Sequence, residues 1–210
     1  MTVYEPQEDS FLLQKFVKKY SKGLVLDVGT GSGIQSQTAA EKADLVIGLD
    51  IDKDAIKYCE KNIKERNVHF FKSNLFQIFE ENFFFYDPVE KQIEVCDKKK
   101  IKDRDQLRIL VKKPIKFDLI IFNPPYLPQE LEERDIALEG GKKGYEVLER
   151  FLNKVGDYLK PEGRIVILFS SFTNRQRIND CIHKNDMKYI ELEKKHIFFE
   201  NLYVYYITKK

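Results

Sequence analysis

Apolar and polar positions follow two rhythms along this chain, and the rhythms take turns. From Ser10 to Tyr20, the residues Phe11, Leu12, Leu13, Phe16 and Val17 recur at helical spacing, with Ser10 placed as an N-cap. Leu24 to Val28 is a continuous apolar run broken only by Asp27, which predicts a short buried strand. It ends in Gly29-Thr30-Gly31-Ser32-Gly33, and a helix is predicted through about Lys42. The alternation then repeats: a strand over 45–50, a helix over 53–66, a strand over 68–72 and another over 116–122. A helix over 144–159, closed by Pro161-Glu162-Gly163, leads to a strand over 164–169. A helix over 174–183 and strands over 187–192 and 202–208 complete the pattern. Such alternation implies an α/β fold whose mostly parallel sheet is covered on both faces.

One segment breaks the rhythm. Between Asn74 and Asn123 the chain is too long for one crossover helix with two tight loops. Phe83-Phe84-Phe85-Tyr86, the turn signal Asp87-Pro88 and the alternating Gln92-Ile93-Glu94-Val95 predict an extra hairpin. The expected organisation is therefore a single domain, 1–210, with an insertion at about 79–114. Seven of the 16 phenylalanines fall between Phe70 and Phe85, forming either a local core for the hairpin or a partner surface. From Asp97 to Lys116 there are nine Lys or Arg against three Asp, which reads as a solvated face or a steering patch.

Composition narrows the class. Apolar residues at 42% and charged residues at 33% suit a folded globular protein rather than a disordered one. The formal net charge of +2 does not suggest a chain coated for nucleic acid, so nucleic acid is not required as a partner. No apolar run approaches a bilayer span and the N-terminal stretch is acidic, so neither a signal peptide nor a membrane anchor is read. Cys59, Cys96 and Cys181 are far apart and odd in number, which points to a reducing cytoplasm and offers no metal pair.

The glycine turn is the first candidate for chemistry. Gly29, Gly31 and Gly33 between a strand and a helix let backbone approach a ligand, although a tight turn needs glycine for steric reasons too. The third glycine of a dinucleotide fingerprint would stand at Ile34, and the Gly-Lys-Ser/Thr of a phosphate loop is absent. Asp27, just before the turn, would repel a pyrophosphate and attract an ammonium group. Asp50, at the end of the second strand, suits ribose hydroxyls, whereas Asp52 and Asp54 beside it read as solvated turn residues. Asn74, at the end of the third strand, can meet an adenine edge because an amide both donates and accepts. Ammonium, ribose and adenine sites on three successive strand ends describe S-adenosylmethionine.

The second candidate is Asn123-Pro124-Pro125-Tyr126, directly after the apolar run Phe117-Asp118-Leu119-Ile120-Ile121-Phe122. Two prolines stop a buried strand abruptly and hold the preceding residue extended. The Asn123 side-chain carbonyl and the Pro124 backbone carbonyl can then accept both hydrogens of one –NH2 group. A planar nitrogen is a poor nucleophile because its lone pair is delocalised. Fixed acceptors favour a more pyramidal nitrogen and aim its lone pair at a methyl group, without a metal or a strong base. Tyr126 is placed to pack on the substrate plane or near a sulfonium.

These residues resemble a known family, the class I S-adenosylmethionine-dependent methyltransferases, and within it the HemK2/Mtq2-like protein-glutamine methyltransferases of archaea and eukaryotes. The matching pieces are Val3-Tyr4-Glu5-Pro6-Gln7-Glu8-Asp9-Ser10-Phe11-Leu12-Leu13, Asp27-Val28-Gly29-Thr30-Gly31-Ser32-Gly33, Asp50-Ile51-Asp52, Asn123-Pro124-Pro125-Tyr126 and Ala137-Leu138-Glu139-Gly140-Gly141-Lys142-Lys143-Gly144. The resemblance implies a Rossmann-like, seven-stranded sheet with an antiparallel last strand. It implies N5-methylation of the glutamine in the Gly-Gly-Gln motif of a class I translation termination (release) factor. It places Ser10, Asp27, Gly29, Asp50, Asn74 and Leu75 around the cofactor, with Thr30, Gly31 and Asn123 beside them, and gives Asn123 the glutamine amide. It also implies a small zinc-binding activator of the Trm112 type along the edge of the third strand. Two features depart from the family pattern: Asn74 stands where an aspartate is usual, and the insertion is extra.

Other readings keep the chemistry and change the acceptor. Asn-Pro-Pro-Tyr also serves enzymes that methylate exocyclic amines of nucleobases, but no nucleic-acid-binding domain is evident beside it. A lysine acceptor would need deprotonation, and the sequence offers no evident base. A chain that only bound cofactor or a partner would be expected to carry a damaged reaction site, and this one is intact.

Overall fold

In the computed structural model, the residues described are 3–101, 115–125, 144–197 and 199–210. In chain order they form helix α1 (Glu8–Tyr20), strand β1 (Gly23–Val28), α2 (Ile34–Ala40), β2 (Ala43–Asp50), α3 (Lys53–Asn62), β3 (Val68–Lys72) and α4 (Gln77–Glu81). The hairpin β4 (Asn82–Asp87) and β5 (Gln92–Asp97) follows, then β6 (Phe117–Phe122), α5 (Glu146–Val155), β7 (Leu159–Ser170), α6 (Arg175–Lys184), β8 (Met187–Ile197) and β9 (Glu200–Lys209). Seven strands make one sheet in the order β3-β2-β1-β6-β7-β9-β8. All neighbours up to β7 pair in parallel, and β9 runs antiparallel to both β7 and β8. Among the described residues, no helix is long and apolar enough to cross a membrane.

Strand periodicity assigns each side chain to a face. Leu24, Leu26 and Val28 of β1 enter the core shared with α5, whereas Val25 joins Leu12, Leu13 and Val17 of α1 on the other face. Asp27 therefore points to the face that carries α2. The fully buried α1 side chains Leu13 and Val17 are each worth about 2 kcal/mol of transfer free energy. That anchors a helix whose N-terminus reaches the carboxyl ends of the strands. The chain direction along the sheet reverses between β1 and β6, the topological switch point where α/β sheets bind ligands.

The hairpin forms as predicted, with Asp87 accepting the amides of Val89 and Glu90 at its turn. Its aromatic residues are core: Phe83 and Phe84 are buried, as is Phe79 of α4, and Phe84 meets the β3 residue Phe71 edge-on at 5.5 Å. Lys91 at the hairpin tip pairs with Asp44 at 2.8 Å, near the start of β2. The tip thus reaches the amino ends of the strands, away from the glycine turn. The basic stretch continues into residues outside the described ones.

Several predicted boundaries move. Helix α1 begins at Glu8 with Gln7 as its cap, because Phe11 N–H donates to the Gln7 carbonyl; Ser10 lies inside the first turn. Helix α3 stops at Asn62 rather than 66, leaving Ile63 extended and packed under the glycine turn. Pro161-Glu162-Gly163 does not close a helix but lies inside β7, where Phe117 pairs with Leu159 and Leu119 with Arg164 across an irregularity. Strand β8 runs on to Ile197 because the bulge between Glu191 and Glu193 breaks the two-residue period without ending the pairing.

Candidate active site

The glycine turn after β1 is fixed from several sides by the protein itself. Gly31 N–H donates to Asp50 Oδ2 at 2.9 Å, and the Gly31 carbonyl accepts from Cys59 Sγ at 3.2 Å. Thr30 N–H donates to the Leu49 carbonyl and Gly33 N–H to that of Thr30. These amides face inward, so they do not form a phosphate cradle. Gly33 has a left-handed backbone (φ 81°), and a Cβ there would lie 2.2 Å from Ile63 and 3.0 Å from Cys59. Gly31 differs. Its φ is also positive, at 53°, yet a Cβ there would meet none of the described residues within 4 Å. The space above Gly31 is open to a ligand, while its backbone is held still.

Asp27 lies beneath this turn, 1% exposed. Its Oδ2 accepts from the hydroxyls of Thr30 and Ser36, each at 2.7 Å. Burial pushes its carboxyl up to about 6; the two hydroxyls pull it down less strongly, and the Asp50 charge adds to the rise. Asp27 therefore braces the turn and presents its charge from behind it. An ammonium group, the partner expected for Asp27, would meet its field rather than an exposed carboxylate.

At the end of β2, Asp50 divides its two oxygens: Oδ2 holds Gly31 N–H and Oδ1 accepts from Asp52 N–H at 2.8 Å. A carboxylate has about four lone-pair sites, so two remain for a vicinal diol. Burial raises its pKa, opposed by the Asp52 and Gly31 amides. Asp52 itself caps α3 by accepting from Asp54 N–H. One strand further on, Ser73 N–H donates to the Asp50 carbonyl, which sets Asn74 beside it with an exposed side chain. Leu75 follows in the left-handed region (φ 51°), a conformation costing about 1 kcal/mol for a side chain with a Cβ. Ser73 Oγ donates to the Leu75 carbonyl at 2.8 Å and accepts from Ile78 N–H at 3.1 Å, which holds the bend in place.

Across the switch point, β6 ends at Asn123. A Cβ on Gly29 would lie 3.3 Å from Phe122 and 3.9 Å from the Asn123 carbonyl, so the glycine turn abuts this end. Asn123 Nδ2 donates to Asp9 Oδ2 at 2.8 Å. Asp9 Oδ1 in turn accepts from Tyr4 Oη at 3.0 Å and Ser10 Oγ at 3.3 Å. Burial, with Asp9 and Glu200 nearby, raises the Tyr4 phenol well above its ordinary value and keeps it a donor. Asn123 Oδ1 is buried and, among the described residues, has no hydrogen-bond partner. A buried acceptor without a donor is uncommon and marks a place where a donor belongs.

The structure thus gathers Asp27, Gly29, Thr30, Gly31, Asp50, Asn74, Leu75, Asn123 and Pro124 around the carboxyl ends of β1, β2, β3 and β6. Ser10 is 3% exposed, donates to Asp9 and has its carbonyl tied to Gln35 Nε2 at 2.8 Å. Tyr126 and Gly140-Gly141 lie outside the described residues. Sequence reasoning missed Asp9, Tyr4, Ser36 and Cys59. The first two stand in the opening motif, so the motif was the available signal for them; nothing local distinguished Ser36 or Cys59. Open space over Gly31, a diol-ready carboxylate at Asp50 and a free amide at Asn74 fit S-adenosylmethionine.

A model of a methyltransferase domain matches residues 20–207. The chain is 35% identical over 182 residues to a provisionally named protein N5-glutamine methyltransferase of Methanocaldococcus jannaschii, covering 83% of this chain and 75% of that protein. It is 30% identical over 189 residues to the human methyltransferase HEMK2, covering 84% and 75%. Among solved structures, it superposes over the whole of both chains, with a TM-score of 0.66 and 20% identity, on a chain of the E. cuniculi Mtq2-Trm112 complex. That complex is described as responsible for methylating the eRF1 translation termination factor. The structural match speaks for the fold.

Proposed function

We propose, on the premise that this chain belongs to the methyltransferase-domain family, that it transfers a methyl group to the N5 amide nitrogen of a glutamine. The substrate we assign is the Gly-Gly-Gln motif of a class I translation termination factor. The observation that carries this reading is the buried Oδ1 of Asn123, next to Pro124 at the switch point, which has no hydrogen-bond partner among the described residues. The identity of the amide is supported by the names of the relatives at 35% identity and of the matched complex.

Asp50 would hold the ribose hydroxyls, Asn74 the adenine edge, and Asp27 the ammonium end through the turn. S-adenosylmethionine, so held, supplies an electrophilic methyl group and departs as a neutral thioether. The chain's own task is to prepare the nitrogen. Asn123 Oδ1 and the Pro124 carbonyl accept the two amide N–H groups, which turns the lone pair out of conjugation and towards the methyl carbon. The new N–C bond forms from that lone pair, and one amide proton passes to solvent as the nitrogen returns to neutrality. No strong base is needed, because a proton on the methylated nitrogen is highly acidic.

A zinc-binding activator of the Trm112 type is placed, in this proposal, along β3. That strand ends the sheet, and its Val68, His69, Phe70 and Phe71 are all half-buried.

The deciding assay is methyl transfer from labelled cofactor to a purified termination factor, with and without the activator, using wild-type and Gln→Ala versions of the Gly-Gly-Gln motif. Transfer confined to the wild-type motif is expected. Label on the mutated factor, or label appearing only when RNA or DNA is added, would assign a different acceptor.

A further inference from the structure

We infer that Asp9 decides which end of the Asn123 amide faces the substrate, and so acts as a positioning residue for methyl transfer. The inference rests on the amide-methylation reading above. An asparagine side chain can be turned over at little steric cost, and turning it exchanges an acceptor for a pair of donors. Asn123 would then meet a substrate –NH2 with N–H groups, and the nitrogen could not be held. Asp9 prevents this. Its carboxylate only accepts, so the Asn123 end 2.8 Å from Oδ2 must be Nδ2. The reversed amide would set two lone-pair-bearing oxygens against each other.

Asp9 is itself immobilised. It is 4% exposed, and its second oxygen takes hydrogen bonds from Tyr4 Oη and Ser10 Oγ. Tyr4 can donate in this way because its phenol stays protonated. The result is a directed row, Tyr4 to Asp9 from one side and Asn123 to Asp9 from the other. At its far end it leaves Asn123 Oδ1 buried and, among the described residues, without a partner. In the proposed site the nitrogen then meets two acceptors, Asn123 Oδ1 and the Pro124 carbonyl. Such a site selects a nitrogen that carries two hydrogens, and it disfavours the monomethylated product as a second substrate.

The test compares Asp9→Leu, Asp9→Asn and Asn123→Ala in the whole chain. It uses the termination factor as substrate and measures kcat, KM for the factor, cofactor Kd and melting temperature for each. Asp9→Leu should lower kcat about 100-fold, while KM and Kd stay within about threefold. Asp9→Asn should retain more: an asparagine can still accept from Nδ2 while Tyr4 accepts from it, but it also permits the reversed pairing. A loss of about tenfold is expected there, between wild type and Asp9→Leu.

Turnover of Asp9→Leu within about threefold of wild type would overturn the proposal. So would equal losses for both Asp9 variants that track a fall in melting temperature or cofactor affinity, since that would be a structural role. Asn123→Ala separates the two levels. If it is inactive while Asp9→Leu is active, only the role of Asp9 falls. If Asn123→Ala itself turns over normally, the amide-methylation site is elsewhere and both readings fall.

Discussion

Gly31 and Asn123 stand on neighbouring strand ends, yet their polar atoms are handled differently. Both Gly31 backbone groups are engaged, the N–H by Asp50 and the carbonyl by Cys59. The carboxylate of Asp27 behind it is held by two hydroxyls. On the other side of the switch point, among the described residues, Asn123 has a partner for its nitrogen and none for its oxygen. The cofactor half is therefore finished in shape before anything binds. The acceptor half carries one unmet bond that only a donor can complete. A tight, prebuilt donor site and an acceptor site that needs its substrate make a methyl donor wait for the correct nitrogen.

The largest expected effect breaks the acceptor half alone. Asn123→Ala should reduce kcat by about 1,000-fold, the scale seen when one preorganised hydrogen-bonding group at a reacting centre is removed. Cofactor Kd, measured by calorimetry, should stay within about threefold. A matching loss of cofactor binding would show that the two halves are not separable at Asn123. Asp50→Ala breaks the other half. It removes the carboxylate proposed to hold the ribose and frees Gly31 N–H, so cofactor affinity should fall about 100-fold. Turnover at saturating cofactor should fall far less. If kcat collapses instead, the turn held by Asp50 also shapes the acceptor side.

The cofactor half was largely legible from the sequence because its parts sit at strand ends that the apolar runs mark out. Leu24 to Val28 and Leu45 to Asp50 announce two buried strands, and Asp27 and Asp50 are the polar residues at or near their ends. The acceptor half was legible only in part. Asn123 follows a clear strand and is fenced by prolines, but its partner Asp9 lies 114 positions away. No periodicity links a residue in the first turn of α1 to the end of β6. That contact exists because Leu12, Leu13 and Val17 bury α1 against the sheet. The hairpin was readable from its turn and alternation, whereas its docking through Lys91 to Asp44 depends on tertiary packing alone.

A subtler probe concerns the cost of finishing the cofactor half. The folded pKa of Asp27 is raised to about 6 from an ordinary 3.8. The native state therefore binds this proton more tightly than the unfolded chain does. Its stabilising effect is complete below about pH 4 and is lost as pH rises through about 6; at neutral pH the buried charge costs about 3 kcal/mol. Asp27→Asn, which can still accept from Thr30 and Ser36, should raise the melting temperature at pH 7.5 by roughly 5–10 °C. It should flatten the decline between pH 4 and 6 and weaken cofactor binding about tenfold. In the wild type, cofactor affinity should drop as pH falls below about 6, by at most about tenfold per unit. A melting temperature that falls in Asp27→Asn would mean that the carboxylate's hydrogen bonds outweigh its desolvation.

The smallest effect expected is at Asn74, outside the locked turn: the side chain is exposed and, among the described residues, has no hydrogen-bond partner. Asp50 and Gly31 are locked, so affinity still to be gained should be found at this free amide rather than at the turn. An aspartate there accepts the adenine amino group with a charge-assisted bond, stronger than that of a neutral amide. Against this stands the negative charge of Asp50, one strand away and tied to the same bend through Ser73 N–H. The position is solvent-exposed, so screening keeps that repulsion small. Asn74→Asp should therefore tighten the binding of S-adenosylmethionine and of its demethylated product alike, by about threefold to tenfold. Turnover at saturation should not move, because neither Asn123 nor Pro124 is touched. Weaker binding in this variant would assign Asn74 the opposite polarity, donating its N–H to a ring nitrogen of the base. That would explain why an amide, which can do both, stands at this strand end.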